Sequence, residues 1–362
     1  MSFIIFLIVL SILIIVHEYG HFAMAKKLGV RVERFAVGFG PKLFAKTFDG
    51  TEFAVCLIPL GGYVKMAGDE RTSCQGKKDE FYARSPGHRS LIVLMGPVVN
   101  YALAFVCFWV VFMIGYPALS PSVGGLMENY PAKAAGFEPK DKILQINDIK
   151  IQSWEEVQKY ISHSTAPDLN FVILRNGEKI TKTLTPRIEI LENIFGQKEP
   201  IRLVGIKPAE EIILLKYGVV ESFVRSWDRL WEITTTTYKA IYRMATGAMS
   251  AKDSMTGPVG IFFIIQKASA MGFSYLLYVM GIISASLAIF NLLPFPVLDG
   301  GHLFFSAVEK IRRRPLPQKL DETINKIGFS LIITLAVFVF YTDFARLGWI
   351  DKILGLWHSI GR

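Results

Sequence analysis

The sequence predicts a polytopic α-helical membrane protein of about four transmembrane helices, with a membrane-associated β-hairpin and one small α+β domain outside the membrane. Three observations predict it. First, 51% of the 362 residues are hydrophobic and only 20% are charged, against about 45–50% and about 25% in an average soluble chain. Second, the apolar residues are gathered: residues 2 to 25 are nearly all apolar, and 91 to 115, 274 to 298 and 327 to 341 carry no charge. Third, the formal charge of +9 is unevenly placed. Residues 26 to 90 hold 12 Lys and Arg against 7 acids, residues 299 to 326 hold 6 against 4, and residues 116 to 273 hold 19 against 17. Short basic loops stay in the cytoplasm, whereas long domains cross largely regardless of charge. The excess therefore needs no nucleic acid as partner, and the low charge density excludes a disordered chain. Cys56, Cys74 and Cys107 are odd in number and widely spaced, which predicts neither a disulfide framework nor a thiolate metal site.

A hydrocarbon core about 30 Å thick takes roughly 20 apolar residues at 1.5 Å each, so the first three stretches are long enough to span. Residues 2 to 25 have no basic region ahead of the apolar run and no small-residue cleavage site behind it. They read as a retained anchor. The fourth stretch spans only if it extends toward Leu347 and Trp349, with Asp343 and Arg346 near an interface. The charge pattern then sets the N-terminus outside, residues 26 to 90 inside, 116 to 273 outside, Arg312-Arg313-Arg314 inside and the C-terminus outside.

Between the first two spans, Thr51 to Ile58 alternates polar and apolar residues, Tyr63 to Met66 is a second β-prone run, and Gly61-Gly62 separates them. This reads as a hairpin. Gly38-Phe39-Gly40 lacks the third glycine and the strand-to-helix setting of a phosphate loop. In the outside segment, the turn-rich run from Ser120 to Leu126 leads to Pro131 to Phe137 and then Asp141 to Asp148. A helix from Trp154 to Ile161 and strands at Leu169 to Arg175 and Lys179 to Leu184 follow. From Val220 to Tyr242 apolar and aromatic residues recur at helical spacing, and Trp227, Trp231, Tyr238 and Tyr242 suit a membrane interface.

Within the apolar spans the acids are informative. Glu18 lies inside the first and Asp299 at the end of the third, each a costly placement that marks function by default. Glu18 belongs to His17-Glu18-Tyr19-Gly20-His21, an H-E-x-x-H motif. At 100° per residue the two histidines fall about 40° apart on one helix face, where both imidazoles reach one zinc ion. Glu18, free of the metal, can take a proton from a water that the metal activates. With 6 His and 19 Glu in the chain, chance supplies about 0.005 such motifs. Hydrogen-bonded core histidines are the bland alternative, and a span otherwise free of ionisable groups argues against it. A catalytic zinc usually has three protein ligands and one open position. The third ligand is His88, His163, His302, His358 or a carboxylate, and only Asp299 and His302 follow a span on the cytoplasmic side. The run from Asn291 to Gly301 puts two prolines and two glycines around Asp299, a helix break tolerated in a membrane only where it lines a cavity. Asp299 is thus the better ligand, and His302 reads as structural.

H-E-x-x-H in the first span, paired with N-x-x-P-x-P-x-L-D-G after the third, resembles the site-2 protease family of intramembrane zinc metalloproteases. The resemblance continues in Phe35 to Pro41, in Leu57 to Met66 and in Gly96-Pro97-Val98-Val99-Asn100. It is closest to the branch of bacterial regulator-of-sigma-E proteases and covers the chain nearly end to end. It implies a Zn²⁺ cofactor held by His17, His21 and Asp299, with Glu18 catalytic. It implies cleavage of single-pass transmembrane proteins, such as an anti-sigma factor or remnant signal peptides, in a bacterial inner membrane. Asn100 and Asn291 then either bind substrate backbone or cross-link helices by hydrogen bonds. The hairpin would pack beside the zinc and hold an unwound substrate strand.

The outside elements resemble a circularly permuted PDZ domain, a module that captures peptide by strand addition or gates access. The best-known relatives carry two such modules and this chain has room for one. The expected division is therefore residues 1–115 for two spans, zinc motif and hairpin; 116–190 for the PDZ-like domain; 191–273 for a periplasmic connecting and amphipathic interfacial segment; and 274–362 for the last two spans and tail. The helix at 220 to 242 either guards substrate entry or packs on the outside domain. A metal or proton transporter is the rival class, but no internal repeat supports it. A degenerate scaffold is disfavoured because all four site residues are present.

Overall fold

The computed structural model describes residues 2–192, 198–250 and 254–346. Its helices are α1 (Ser2–Lys27), α2 (Pro86–Ile114), α3 (Pro131–Ala134), α4 (Trp154–His163), α5 (Val219–Ala245), α6 (Pro258–Met271), α7 (Phe273–Asn291), α8 (Asp299–Arg312) and α9 (Gln318–Arg346). By length and composition α1, α2, α7 and α9 can each cross a membrane. They correspond to the four apolar stretches of the sequence. The chain forms two compact units, residues 1–109 with 224–238 and 250–362, and residues 110–223 with 239–249. His358, Leu347 and Trp349 lie outside the described residues.

The first unit is built on α1. Phe6, Val9 and Leu13 are buried against Ile265 of α6, and Leu276 and Val279 of α7 pack on the same cluster. The charge pattern places residues 116 to 273 outside the membrane, and within that range α6 packs on α1. At 14 residues α6 is apolar but too short to span. Its apolar face nevertheless lies on α1. The carboxylate of Asp343 in α9 accepts hydrogen bonds from Gly257 N at 3.0 Å and Gly260 N at 2.9 Å, holding the otherwise unpaired first N–H groups of α6. On α5, Trp227 stacks edge-on against Phe105 at 5.5 Å. Tyr101 Oη lies 2.6 Å from Thr234 Oγ1, whose own proton goes to Leu230 O. Trp227 and Trp231, one turn apart on α5, remain 60% and 69% exposed.

The expected hairpin is present but differently paired. Strands β1 (Val32–Phe48) and β2 (Thr51–Met66) turn at Asp49-Gly50. Arg34 to Val37 lies between Glu52 to Val55 on one side and Gly62 to Lys65 on the other. The two runs expected to pair with each other therefore each pair with the Phe35-Ala36-Val37 run. Gly38, Gly40 and Gly61, at φ of 87°, 89° and 123°, supply the left-handed bends that let both strands fold back.

Beyond β2 the chain returns over α8. Glu309, with its side chain 3% exposed, accepts hydrogen bonds from Arg71 Nη2, from Arg89 Nη2 and, at 2.9 Å, from Leu316 N. Both guanidiniums also stack on Tyr82. Burial pushes the Glu309 carboxyl up, but the Leu316 N–H and the arginines outweigh it and hold its pKa below the usual carboxylate range. Such a group stabilises the fold above the unfolded carboxylate pKa of about 4.3, and the stabilisation fades as pH falls through the lower folded value. Glu309→Gln leaves buried Arg89 without its counter-charge and half-buried Arg71 with only Asp321, and is expected to cost about 3–5 kcal/mol at neutral pH. Unfolding in denaturant from pH 7 to pH 3 checks it: the variant should differ most at neutral pH and converge on the parent in acid. A constant difference would refute the assignment.

In the second unit a four-stranded sheet has the order β6-β5-β7-β8. Of the strands before it, β3 (Tyr116–Leu119) and β4 (Val123–Leu126) lead into β5 (Lys142–Ile146) and β6 (Ile149–Lys150), and β7 (Leu169–Arg175) and β8 (Glu178–Leu184) follow α4. Alternation in β7 sends Leu169, Phe171 and Ile173 into a core with Ile143, Ile146, Trp154 and Val157. Ser153 caps α4 by accepting from Glu156 N. Arg175 closes the β5 entrance with two 2.7 Å bonds to Asp141.

Candidate metal centre

The site is assembled where α1, α2, β2 and the break after α7 meet. His17 and His21 sit one helical turn apart, and α2 crosses α1 backbone to backbone at this level. A Cβ on Gly20 would come within 2.3 Å of Met95 O, and one on Gly96 within 2.3 Å of His21 Nε2. Small residues are what allow helices to approach so closely. The chain passes Glu18 at Gly62 of β2, where an added Cβ would lie 3.5 Å from Glu18 Cγ and 2.9 Å from Ala36 O. Asp299 arrives from the opposite side on the first residue of α8. The preceding turn is tight: a Cβ on Gly300 would meet Leu293 O at 2.2 Å, and one on Gly301 would meet Phe295 O at 2.1 Å. Val297 is held at φ 77°, a costly conformation for a β-branched residue. Such strain persists only where the surroundings enforce it. Gly328 of α9 seats directly on Pro296, with room for no Cβ.

One ligand atom from each of His17, His21 and Asp299 falls within 4.8 Å of the other two. His17 Nε2 and His21 Nε2 are 3.2 Å apart, His17 Nε2 is 3.1 Å from Asp299 Oδ2, and His21 Nε2 is 3.5 Å from Asp299 Oδ1. A tetrahedral zinc with bonds of about 2.0–2.1 Å has ligand-to-ligand edges of about 3.3 Å. The triangle fits that dimension. Asp299 Oδ2 is buried and accepts no hydrogen bond, despite the nearby His17 nitrogen. His21 Nδ1 is 3.0 Å from Ile92 O, a bond that puts the proton on Nδ1 and frees Nε2 as a ligand. A carboxylate oxygen without a donor and two converging imidazole nitrogens together form a donor set for a cation such as zinc.

Asn100 and Asn291 both come to His17. Asn100 Nδ2 is 3.4 Å from His17 Nδ1, and Asn291 Nδ2 is 3.4 Å from His17 Nε2. Asn100 is 1% exposed and its Oδ1 has no partner. Its amide ends are interchangeable by a half-turn, and the turned amide puts Oδ1 on the His17 Nδ1 proton, leaving Nε2 for the metal. Asn100 O also accepts from Ser284 Oγ at 2.7 Å, tying α2 to α7. The other candidate histidines lie elsewhere. His88 bonds Ser85 at the start of α2, His163 ends α4, and half-buried His302 lies three residues past Asp299 near the Glu309 cluster. A cavity of about 420 Å³ opens on this triangle and is lined by Glu18, Tyr63, Asn100 and Asn291 as well. The place of Glu18 beside the histidines is legible in the H-E-x-x-H spacing. Gly96, whose α-carbon abuts the rings, carried no chemical signal; only its presence in the Gly96-Pro97-Val98-Val99-Asn100 match pointed to it.

Comparison with known proteins gives a match to the family model described as peptidase family M50 over residues 5–335. A Campylobacter jejuni relative whose name contains the words zinc metalloprotease is 36% identical over 343 residues, covering 94% of this chain and 92% of that protein. The regulator of sigma E protease of Haemophilus influenzae is 29% identical, with 94% and 98% covered. The zinc metalloprotease RasP of Geobacillus kaustophilus is also 29% identical, with 95% and 98% covered.

Proposed function

Because the chain belongs to peptidase family M50, the site-2 protease family, and is a multi-pass zinc metalloprotease, we propose that it hydrolyses peptide bonds within or near the transmembrane segments of single-pass membrane proteins. The observation that carries this reading is the triangle of His17, His21 and Asp299 at the ends of apolar helices, with Glu18 beside it in one cavity. His17, His21 and Asp299 would hold the zinc, which supplies Lewis acidity toward the scissile carbonyl and toward water. Glu18 takes the proton of the attacking water and returns it to the leaving amine. Asn100 orients His17 through Nδ1. Asn291, whose Nδ2 also reaches His17, lines the same cavity and would meet substrate backbone there.

A peptide bond in an α-helix is wrapped by side chains and has its carbonyl engaged, so the substrate must unwind locally. The segment of β2 at Tyr63 and Val64, paired with Ala36 and Phe35 on one side, lines the cavity and would offer strand addition to an unwound segment. The second unit, with its helix between strands, is read as a PDZ-like domain on the periplasmic side of a bacterial inner membrane, and, since one relative is named a regulator of sigma E protease, an anti-sigma factor is the substrate class this reading favours. A purified single-span substrate incubated with and without a chelator tests the proposal. Cleavage should stop with the chelator and return with zinc, and should be faster for a span with a central helix breaker than for a poly-Leu span. Chelator-resistant cleavage, or metal flux without cleavage, would overturn it.

A further inference from the structure

The cavity next to the Glu309 cluster has no role in the reading above. It measures about 340 Å³, is distinct from the metal cavity, and is lined by Pro86, Arg89, Glu309, Lys310, Arg313, Arg314 and Pro315. That volume lies in the range of roughly 300–1,000 Å³ typical of ligand pockets. Its only acid is already matched by Arg89 and Arg71. Among the described residues no carboxylate pairs with Lys310, Arg313 or Arg314, so three cations converge on the hollow uncompensated. Arg89 is 6% exposed and its Nε, buried, has no hydrogen-bond partner. Basic residues in the last turn of α8 suit its dipole, and a cytoplasmic loop collects them in any case. Neither tendency requires a concave wall. The wall is made by Arg313, which ends α8 at φ 55° and ψ 24°, a left-handed conformation uncommon outside glycine and asparagine. That turn carries Arg314 and Pro315 around to face Pro86. The hollow stands four residues before α9, a candidate membrane span.

We infer that this cavity binds a phosphate group, carried by an anionic lipid headgroup or free in solution. Arginine forks match phosphate oxygens two at a time, and Arg313 and Arg314 bring two such forks to the wall with no carboxylate partner among the described residues. Basic pockets at the cytoplasmic ends of transmembrane helices are where such headgroups are held. The inference rests on the proposed cytoplasmic placement of residues 299–317 and does not depend on proteolysis.

The test uses the full-length protein in neutral detergent, with phosphatidylglycerol, phosphatidylcholine and inorganic phosphate titrated separately and bound ligand counted by native mass spectrometry. Phosphatidylglycerol or phosphate should bind and phosphatidylcholine should not. The double variant R313Q/R314Q should weaken binding about 25-fold, at roughly fivefold for each charge, and K77Q/K78Q, exposed on the same side, should not. Whichever of the two phosphate carriers loses binding in R313Q/R314Q is the ligand's source. Equal binding by parent and R313Q/R314Q, or no preference over phosphatidylcholine, overturns the inference. Labelling of Gln318→Cys by an impermeant maleimide in oriented vesicles reads the topology separately: a cytoplasmic label with no phosphate binding refutes the site alone, and a periplasmic label refutes the membrane placement.

Discussion

Glu18→Gln is expected to retain zinc at one ion per chain while lowering the rate of substrate cleavage by about 10²–10⁴-fold, the range that a positioned general base supplies. The two halves of this result come from different atoms. In the proposed reading, holding the metal falls to His17, His21 and Asp299, whose ligand atoms form the triangle. Glu18 lines the same cavity without belonging to it. Glutamine keeps the size and the packing at Gly62 but cannot take a proton from water. Metal content by plasma emission and cleavage of a single-span substrate measure the two quantities on one preparation. Loss of zinc with the activity would make Glu18 a ligand, and cleavage within a few-fold of the parent would remove it from the chemistry.

The parts of this molecule that are legible in its sequence are those set by solvent preference. Four uncharged stretches coincide with α1, α2, α7 and α9 because the chain could not place charges there. Glu18 and Asp299 stand out by the same rule, and β7 is legible from its alternation at Leu169, Phe171 and Ile173. What was not legible depends on partners distant in the chain. Arg34 to Val37 entered between two runs that looked like a hairpin, since β pairing is chosen by neighbours that local alternation cannot name. Helix α6 is apolar enough to pack and too short to be counted as a span. The pairing of Arg71 and Arg89 with Glu309 joins residues more than 200 positions apart. The run Thr234 to Thr237 had no reading of its own, and Thr234 acquires one only beside Tyr101.

Gly96→Ala, which alters no polar group, is expected to lose both zinc and cleavage. The added methyl would stand 2.3 Å from His21 Nε2, 2.4 Å from His21 Cε1 and 2.8 Å from His17 Cε1. All three distances are below any real carbon contact, and the nearest atom is the proposed ligand itself. The rings have little freedom to yield. His21 is fixed by Ile92 O, and Gly20, the residue before it, presses its own backbone on Met95. The methyl must therefore rotate His21 off Ile92 or part α1 from α2, and a displacement of about 1 Å at a catalytic group costs on the order of 10²-fold. Gly87→Ala is the control, because it lies in the same helix with nothing within 4 Å of its added carbon and removes a glycine from a helix turn. It should keep full metal and activity with equal or slightly higher stability. Thermal unfolding distinguishes the two routes open to Gly96→Ala. A folded protein without zinc means that the rings have turned, and a lowered unfolding temperature means that the helices have parted. A Gly96→Ala protein with one zinc and parental activity would show that α2 does not set the position of the histidines.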